Sequence, residues 1–311
     1  MSDAAVDETP LPERRNRPVT IAHRLEYALA RMLVGFFRIV GIDAASAIAS
    51  AFTRSVGPLL AISKRADDNL KAVYPEMTAG ERRRIVAGVW DNLGRTAAEM
   101  AHLDKFRPGE AGGRVEVIGD ERLRRTIEAG RPAIFVSGHF ANWEIMPITI
   151  HRAGIRLASV YRAANNPLID EFIIKARALV MGRCQIPKGK RGGRALIEAL
   201  KDGRSLGMLV DQKLNDGISA PFLGREAMTA PAAARLALKY GAPIYPGWVE
   251  RLGGAHFRMT IDSPIQFAPS GDATADVREL TILINRRIET YVRARPDQWL
   301  WLHRRWPKAS A

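Results

Sequence analysis

The chain has 311 residues, of which 47% are hydrophobic and 26% are charged, proportions that exclude a wholly disordered protein. An excess of Lys and Arg over Asp and Glu gives a formal net charge of +14. This charge indicates an anionic partner: a phospholipid surface, a phosphorylated substrate, an acidic carrier protein or a nucleic acid. The one cysteine, Cys184, excludes an internal disulfide and a cysteine-ligated zinc site, and we expect a buried, inert thiol.

The N-terminal part is predicted to be helical after a polar tail. Residues 1–18 contain proline, lack the pattern of a secretory signal and are predicted to be disordered. The strongly apolar segment 27–42 is interrupted by Arg31 and Arg38, so it is shorter and more charged than a spanning helix of about 20 apolar residues. We favour a helix lying in the membrane interface with its arginines at the headgroups. A true span and a soluble hairpin, formed with a second apolar helix at 44–62, are the alternatives.

The segment 64–105 continues as helix. Thr78 and Glu81 have the spacing of a capping box at a helix start. The basic run that follows, 81–84, is interpreted as a solvated helix face.

Beyond residue 106 strands and helices alternate, which predicts parallel pairing and an α/β architecture. Strands are predicted at 115–118, 133–136, 157–161, 185–186 and 206–210, with a closing hairpin at 244–250 and 256–262. Helices are predicted at 121–129, 142–154, 167–181, 194–201, 231–240 and 274–295. The predicted fold class is α/β, with a mixed, mostly parallel central sheet flanked by helices and an N-terminal helical membrane-associating segment. We divide the chain into a tail (1–18), membrane-associating and packing helices (19–105), and a core (106–311) that forms one structural unit with those helices.

The stretch 132–144, PAIFVSGHFANWE, joins a buried strand to a helix, a junction at which α/β sheets often place functional residues. Five residues along an ideal helix correspond to a rotation of about 140°. His139 can therefore meet Glu144 only if it precedes the helix and folds back over its first turn. The carboxylate would then fix the tautomer and leave the other ring nitrogen as a general base. The alternative is a capping histidine with a solvent-facing glutamate.

No Gly-x-Ser-x-Gly elbow is present in the sequence, so we expect His139 to act directly on a substrate hydroxyl.

Polar residues also follow other predicted strands. Arg162 ends one strand, and we interpret it as functional; Asn166 then opens a helix. Asp211 and Gln212 end another strand, where Asp211 could equally be an ordinary strand-end cap.

The basic, glycine-containing loop at 187–193 opens a further predicted helix. Backbone amides there, together with Lys188 and Lys190, would suit a phosphate group. The loop lacks the Gly-Lys-Ser/Thr ending of a nucleotide P-loop, so nucleotide hydrolysis is disfavoured. A flexible surface loop is the alternative interpretation.

Five blocks of the chain, taken in order, carry a family resemblance: HFANWE, VYRAANNPLID, LVDQ, APFLGREAMTAP and RARPDQWLWLHRRW. Together they resemble the late (lauroyl/myristoyl) acyltransferases of lipid A biosynthesis, within the glycerolipid acyltransferase superfamily. The mark of that superfamily is a histidine, four residues, then Asp or Glu. The resemblance runs from about residue 20 to residue 306 and covers nearly all of the predicted ordered chain.

This resemblance implies an O-acyltransferase on the cytoplasmic face of a Gram-negative inner membrane, held peripherally or by a single N-terminal anchor. It would move a fatty acyl chain from acyl carrier protein, or alternatively from acyl-CoA, to the hydroxyl of a 3-hydroxyacyl chain on a lipid A precursor. The expected partners are the thioester donor, an anionic membrane lipid acceptor and the inner-membrane surface. Related members acylate other lipids, including mannosylated phosphatidylinositol, so a different phospholipid or glycolipid acceptor is the alternative.

The resemblance also implies roles for individual residues. By position, His139 and Glu144 take the family's catalytic pair, and Arg162 takes the arginine after its tyrosine. The predicted substrate-binding residues are Asn142, Arg162, Asn166, Lys188, Lys190, Asp211, Gln212, Gly224 and Arg225, the last two in a Phe-x-Gly-Arg segment. No metal and no cofactor is expected, because a thioester is already activated.

Two other classes of function compete with acyl transfer. A lipid hydrolase would use water in place of the acceptor hydroxyl. A non-catalytic basic protein that binds membranes or nucleic acid would suit the charge, but the aromatic residues cluster near the C-terminus and no nucleic-acid recognition motif is present. We therefore expect no nucleic-acid partner.

Overall fold

Four helices form the N-terminal part of the computed structural model, which describes residues 18–307 except for the side chains of residues 190 and 191. The helices are α1 (Ile21–Val40), α2 (Ile42–Val56), α3 (Ala61–Val73) and α4 (Ala79–Glu99). The predicted capping box at Thr78 and Glu81 is confirmed at the start of α4. The predicted tail at 1–18 lies outside the described residues except for Pro18.

Seven strands form the central sheet, and a two-stranded hairpin stands beside it. The central strands are β1 (Val115–Ile118), β2 (Ile134–Ser137), β3 (Leu157–Tyr161), β4 (Gln185–Pro187), β5 (Ser205–Leu209), β8 (Ile244–Gly253) and β9 (His256–Ile261). The hairpin consists of β6 (Ile218–Phe222) and β7 (Arg225–Thr229). The sheet order is β1-β9-β8-β2-β5-β3-β4, with every neighbouring pair parallel except β8 and β9. The predicted mixed, mostly parallel sheet is confirmed, and so is the closing hairpin.

Six helices cover the two faces of this sheet: α5 (Asp120–Glu128), α6 (Ile145–Arg152), α7 (Pro167–Met181), α8 (Lys190–Lys201), α9 (Ala232–Tyr240) and α10 (Ala273–Ala294). Strand β2 is buried on both sides. Its Ile134 and Val136 belong to the core that contains α9 and α10, whereas Phe135 belongs to the core that contains α6. This two-sided burial explains why β2 is a continuous apolar run instead of an alternating one.

Helix α6 begins three residues later than the predicted start at residue 142. Ala141 has a positive φ of 43°, which an α-helix does not allow. Its carbonyl oxygen accepts hydrogen bonds from Asn92 Nδ2 and Thr96 Oγ1 of α4, both at 3.0 Å. These contacts hold the chain after β2 as a turn, so residues 138–144 form a loop rather than the first turn of a helix.

A buried ion pair joins α4 to the sheet. Glu99, which has no exposed surface, contacts Arg251 of β8 at 2.5 Å and accepts hydrogen bonds from Ser46 and Asn142. Arg251 Nε also donates to Asn92. Nearly every polar atom of the pair therefore has a partner, as buried charges require.

Replacing Glu99 with Gln should lower the free energy of unfolding by about 3–5 kcal/mol, because Arg251 would remain buried without a counter-charge. Chemical denaturation of the two proteins measures this difference. Glu171→Gln is the matched control: Glu171 pairs with Lys175 on the surface of α7, and exposed pairs are worth about 0–1 kcal/mol. Equal losses for the two variants would contradict the prediction.

The outer side of α1 and α2 is apolar and exposed. None of the residues of α1 is buried. The exposed large side chains on α1, α2 and the turn that follows are Ile21, Leu25, Leu29, Met32, Leu33, Phe36, Ile39, Ile48, Phe52, Val56, Leu59 and Leu60, which we call the α1–α2 face. Within residues 18–307 no individual helix has the length and apolar composition needed to cross a membrane. One pair of helical segments, Ile42–Leu59 and Ala61–Val73, has the required length and composition when the two are taken together, with a bend of 80° between them.

Candidate active site

The site lies at the C-terminal ends of the paired parallel strands β2 and β5. Ser137 of β2 is in register with Leu209 of β5, so the residues that follow the two strands leave the sheet side by side. Gly138 and His139 follow β2, and Asp211 follows β5. A Cβ on Gly138 would lie 2.7 Å from Phe140 Cε2 and 3.0 Å from Asp211 Oδ2, so only glycine permits this close approach.

His139 is held by Asp211 through two hydrogen bonds. Its ring Nδ1 lies 2.7 Å from Asp211 Oδ1, and its backbone N–H donates to Oδ2 at 2.8 Å. Burial would raise the pKa of Asp211, but the charge and hydrogen bonds of His139 outweigh burial and hold that pKa well below its usual range. An ionised carboxylate at Nδ1 makes Nδ1 the protonated ring nitrogen.

The other ring nitrogen of His139 faces a pocket. Gln212 Nε2 lies 3.3 Å from His139 Nε2, a contact in which the amide donates and the imidazole accepts. The histidine side chain is 14% exposed, and its ring packs edge-on against Trp143 with 5.2 Å between centroids. Nε2 is therefore an unprotonated nitrogen within reach of a molecule in the pocket.

The predicted contact between His139 and Glu144 is not made. The Glu144 carboxylate binds the guanidinium of Arg177 on α7 instead: Arg177 Nε donates to Oε2 at 2.9 Å, and Nη2 contacts Oε1. Burial would lower the pKa of Arg177, but Glu144 outweighs it and holds that pKa above its usual value. The physical reason for the difference is that Glu144 ends the 138–144 loop and points toward α7, while Asp211 already occupies Nδ1.

The pocket beside His139 has a volume of about 160 Å³. One part of its wall is apolar and is built from Trp143, Met146, Pro147, Val160, Met181, Met208 and Leu209. The polar part contains His139, Glu144, Ser159, Tyr161, Arg162, Arg177, Gln185, Lys188 and Gln212. The arrangement can place an acyl chain against the apolar wall and an anionic or oxygen-rich group among the cations.

The structure brings most of the predicted site residues together. His139, Glu144, Arg162, Lys188 and Gln212 line the pocket, and Asp211 lies directly behind the His139 ring. Lys190 begins α8, but its side chain lies outside the described part of the chain.

Four other predicted substrate-binding residues, Asn142, Asn166, Gly224 and Arg225, do not line this pocket. Asn142 is fully buried and donates to Glu99. Asn166 caps α7 by accepting from Leu168 N–H, and its amide donates to Glu26 and to the His23 carbonyl of α1.

Gly224 and Arg225 lie at the turn of the β6–β7 hairpin, on a different part of the surface. Leu223 and Gly224 both have positive φ, at 51° and 76°. Two successive residues of this kind form a tight hairpin turn, which explains the glycine without a ligand.

Sequence reasoning missed Arg177, which has no motif around it. It also assigned no site residue to the C-terminal aromatic segment, although Trp299 Nε1 donates to Asp211 Oδ2 at 2.7 Å. Among the described residues, no group of three or more His, Cys, Asp and Glu side chains is arranged to hold a metal ion.

Comparison with known proteins gives consistent matches. A family model for bacterial lipid A biosynthesis acyltransferases matches residues 20–308. The lipid A biosynthesis lauroyltransferase of Escherichia coli K12 is 28% identical over 246 residues, which cover 76% of each chain. The lipid A biosynthesis myristoyltransferase of the same strain is 26% identical over 243 residues, 77% of this chain and 73% of the relative. The phosphatidylinositol mannoside acyltransferase of Mycolicibacterium smegmatis is 26% identical over 218 residues, 68% of each chain.

Proposed function

Because the chain belongs to the bacterial lipid A biosynthesis acyltransferase family and is therefore a lipid O-acyltransferase, we propose that it transfers a fatty acyl chain from acyl carrier protein to a hydroxyl of a lipid A precursor. The observation that carries this proposal is the His139–Asp211 pair at a pocket that is apolar on one side and cationic on the other. A basic nitrogen, an apolar wall and positive charge are what a lipid alcohol, an acyl chain and a phosphorylated acceptor require.

His139 acts as the general base in the proposed reaction. Nε2 takes the proton of the acceptor hydroxyl while its oxygen attacks the thioester carbonyl carbon. Collapse of the tetrahedral intermediate re-forms the carbonyl and breaks the carbon–sulfur bond, and the imidazolium returns its proton to the departing thiolate. Asp211 stabilises the imidazolium in between, and such general base catalysis contributes about 10²–10⁴-fold.

The oxyanion of the intermediate requires a donor, and several backbone amides after His139 are already used. The amides of Phe140, Ala141, Glu144 and Ile145 already donate within the protein. The side chains of Arg162 and Lys188 reach the pocket, whereas Arg177 is committed to Glu144. We therefore assign oxyanion stabilisation to Arg162, where one well-placed donor is typically worth about 10²–10³ in kcat. Lys188 is assigned to the acidic group of the acceptor.

A second acceptor class has support from one comparison. The similarity to a phosphatidylinositol mannoside acyltransferase covers 68% of this chain, only slightly less than the similarity to the lipid A enzymes. A glycosylated phospholipid is therefore the alternative acceptor. Acyl-CoA is the alternative donor.

The experiment that tests the function incubates purified protein with lauroyl thioesters of acyl carrier protein and of coenzyme A. Each donor is offered with a lipid A precursor that has a free 3-hydroxyacyl chain, with mannosylated phosphatidylinositol, or with no acceptor. Mass spectrometry identifies the products. Acylated lipid A precursor supports the proposal, acylation of the mannoside supports the alternative, and free fatty acid alone or no turnover contradicts both.

We also propose that the α1–α2 face binds the cytoplasmic surface of the inner membrane. Helix α1 exposes a row of large apolar side chains to solvent, and its exposed Arg24 and Arg31 suit anionic headgroups, whereas Arg38 is bonded to Ala101 and Asp104. The helix is joined to the site, because Asn166, which lies four residues after Arg162 in the loop that follows β3, donates to Glu26 of α1.

Replacing Leu25, Met32 and Ile39 together with Ser should release the protein from vesicles of anionic phospholipid. Burial of each such side chain is worth about 1.5–3 kcal/mol, so the partition coefficient should fall by at least about 100-fold. Flotation measures it. The double variant Ile118→Ser, Ile127→Ser removes two exposed apolar side chains elsewhere and should float like the unaltered protein. Unchanged flotation of the triple variant would place the membrane-binding surface on another part of the chain.

A further inference from the structure

The segment after α10 returns to the catalytic strand end. It contains a short 3₁₀ helix, Pro296–Gln298, followed by Trp299, Trp301 and Trp306. The Trp299 side chain is almost fully buried, and its indole N–H donates to Asp211 Oδ2 at 2.7 Å. An apolar ring thus brings one polar hydrogen to the carboxylate behind His139.

The backbone of this segment is also bound to the His139 loop. Leu300 N–H donates to the His139 carbonyl oxygen at 3.2 Å, and Ala141 N–H donates to the Gln298 carbonyl oxygen at 2.9 Å. The two bonds form an isolated antiparallel bridge between Phe140 and Trp299. The backbone of Trp299 is therefore held beside the His139 loop by main-chain hydrogen bonds, and its buried ring is packed against Phe222 and Trp301.

The oxygens of Asp211 can be assigned individually. Oδ1 faces the His139 ring, whereas Oδ2 accepts both the His139 backbone N–H and the Trp299 indole N–H. Asp211 is buried, so a lost donor would not be replaced by bulk water. Without the indole N–H, Oδ2 accepts only the His139 backbone N–H. The carboxylate can then rotate away from Nδ1 more easily.

We propose that Trp299 is a positioning residue for acyl transfer: its indole N–H fixes the Asp211 carboxylate so that the carboxylate holds His139 with Nδ1 protonated and Nε2 directed into the pocket. This role rests on the proposed function, in which His139 is the general base and Asp211 stabilises its imidazolium form. Trp299 lies about 160 positions beyond His139 in the chain, yet its side chain holds the carboxylate that binds the His139 ring.

The neighbouring tryptophans provide the contrast. Trp301 is fully buried and packs against Trp299 with 4.7 Å between ring centroids, but its N–H donates to the Pro296 carbonyl oxygen. Trp306 donates to the Phe222 carbonyl oxygen. Trp301→Phe therefore removes a buried indole N–H from the same cluster without touching Asp211, which makes it the matched control for Trp299→Phe.

The charged groups around the pair come from several elements. Lys188 and Arg162 face it across the pocket, after β4 and β3. His303 and Arg305 lie behind Asp211 in the C-terminal segment, where burial lowers the pKa of His303 and lowers that of Arg305 to about 10. Both Phe substitutions leave these groups in place, so a difference in pH profile between the variants reports on the indole N–H.

The test compares Trp299→Phe, Trp301→Phe and the unaltered protein in transfer of a lauroyl group from acyl carrier protein to the lipid A precursor. Loss of a hydrogen bond to a charged group predicts a kcat lower by about 10–100-fold for Trp299→Phe, with KM unchanged. The ascending limb of its pH–rate profile should move to lower pH, because a carboxylate that rotates away from Nδ1 stabilises the imidazolium less. Trp301→Phe should leave kcat and the pH profile close to those of the unaltered protein.

A second readout needs no substrate. Proton NMR of ¹⁵N-histidine-labelled enzyme should show a His139 Nδ1 proton protected from exchange in the unaltered protein and in Trp301→Phe, and an exchange-broadened one in Trp299→Phe. This measurement separates the proposed substrates from the proposed role of Trp299. If the unaltered protein shows no turnover but the NMR difference between the variants is present, the proposed substrates are refuted and the positioning role of Trp299 is retained. If Trp299→Phe does not fold, 3-benzothienylalanine at position 299 preserves the ring shape without an N–H.

Two results would overturn the inference. One is an unchanged kcat, pH profile and Nδ1 signal when the indole N–H is removed at position 299. The other is an equal effect of removing it at position 301, which would show that the cluster acts through packing alone.

Discussion

Replacing His139 with alanine is expected to lower kcat for acyl transfer by about 10²–10⁴-fold while the protein stays folded. The imidazole contributes little to the core, because the side chain is partly exposed at a strand end and its backbone N–H would still donate to Asp211. The loss follows from removal of the one group at the pocket that combines an unprotonated nitrogen with a carboxylate behind it.

Steady-state kinetics and a thermal unfolding curve measure the two parts of this prediction. His256→Ala serves as the control, since this exposed histidine begins β9. The control should keep the turnover of the unaltered enzyme. Turnover of His139→Ala at the rate of the control would remove the proposed base from the mechanism.

Replacing Asp211 with Asn is expected to lower kcat by a similar factor, about 10²–10⁴, although the side chain keeps its size. An amide carries no charge to stabilise the imidazolium. It also can present N–H to Nδ1, which would move the ring proton to Nε2 and leave no base facing the substrate. The substitution therefore removes the function of His139 without removing the ring.

The comparison with Glu144→Gln decides which carboxylate supports the histidine. Glu144 binds Arg177, so its replacement should leave the His139 Nδ1 proton signal unchanged, whereas Asp211→Asn should abolish that signal. The reverse pattern would restore the pairing of His139 with Glu144 that the sequence spacing suggests.

The local elements of the fold could be predicted because their signals are local. The buried strand β2, the closing hairpin and the capping box at Thr78 each depend on residues within a few positions. The pairing of His139 with Asp211 depends instead on strand order. The two residues are 72 positions apart, and they meet only because β2 and β5 are neighbours in the sheet. Spacing along the chain favoured Glu144, which is close in sequence but bound to α7.

The residues that do not reach the pocket illustrate a second limit. Asn166 precedes a proline at a helix start, a pattern typical of an N-cap, and the structure uses it as one. Gly224 belongs to a block shared with the family, but the positive φ of a hairpin turn already accounts for it. A motif can therefore identify the family correctly while some of its residues serve the backbone.

The bridge between Phe140 and Trp299 has a consequence for synthesis. A ribosome makes α1 and α2 long before it makes Trp299, so a nascent chain has its apolar helices well before it can complete the His139 loop. An emerging polypeptide could thus settle on the bilayer while still unable to process lipid. The catalyst would become active only once the segment that contains Trp299 has been made and has paired with the His139 loop.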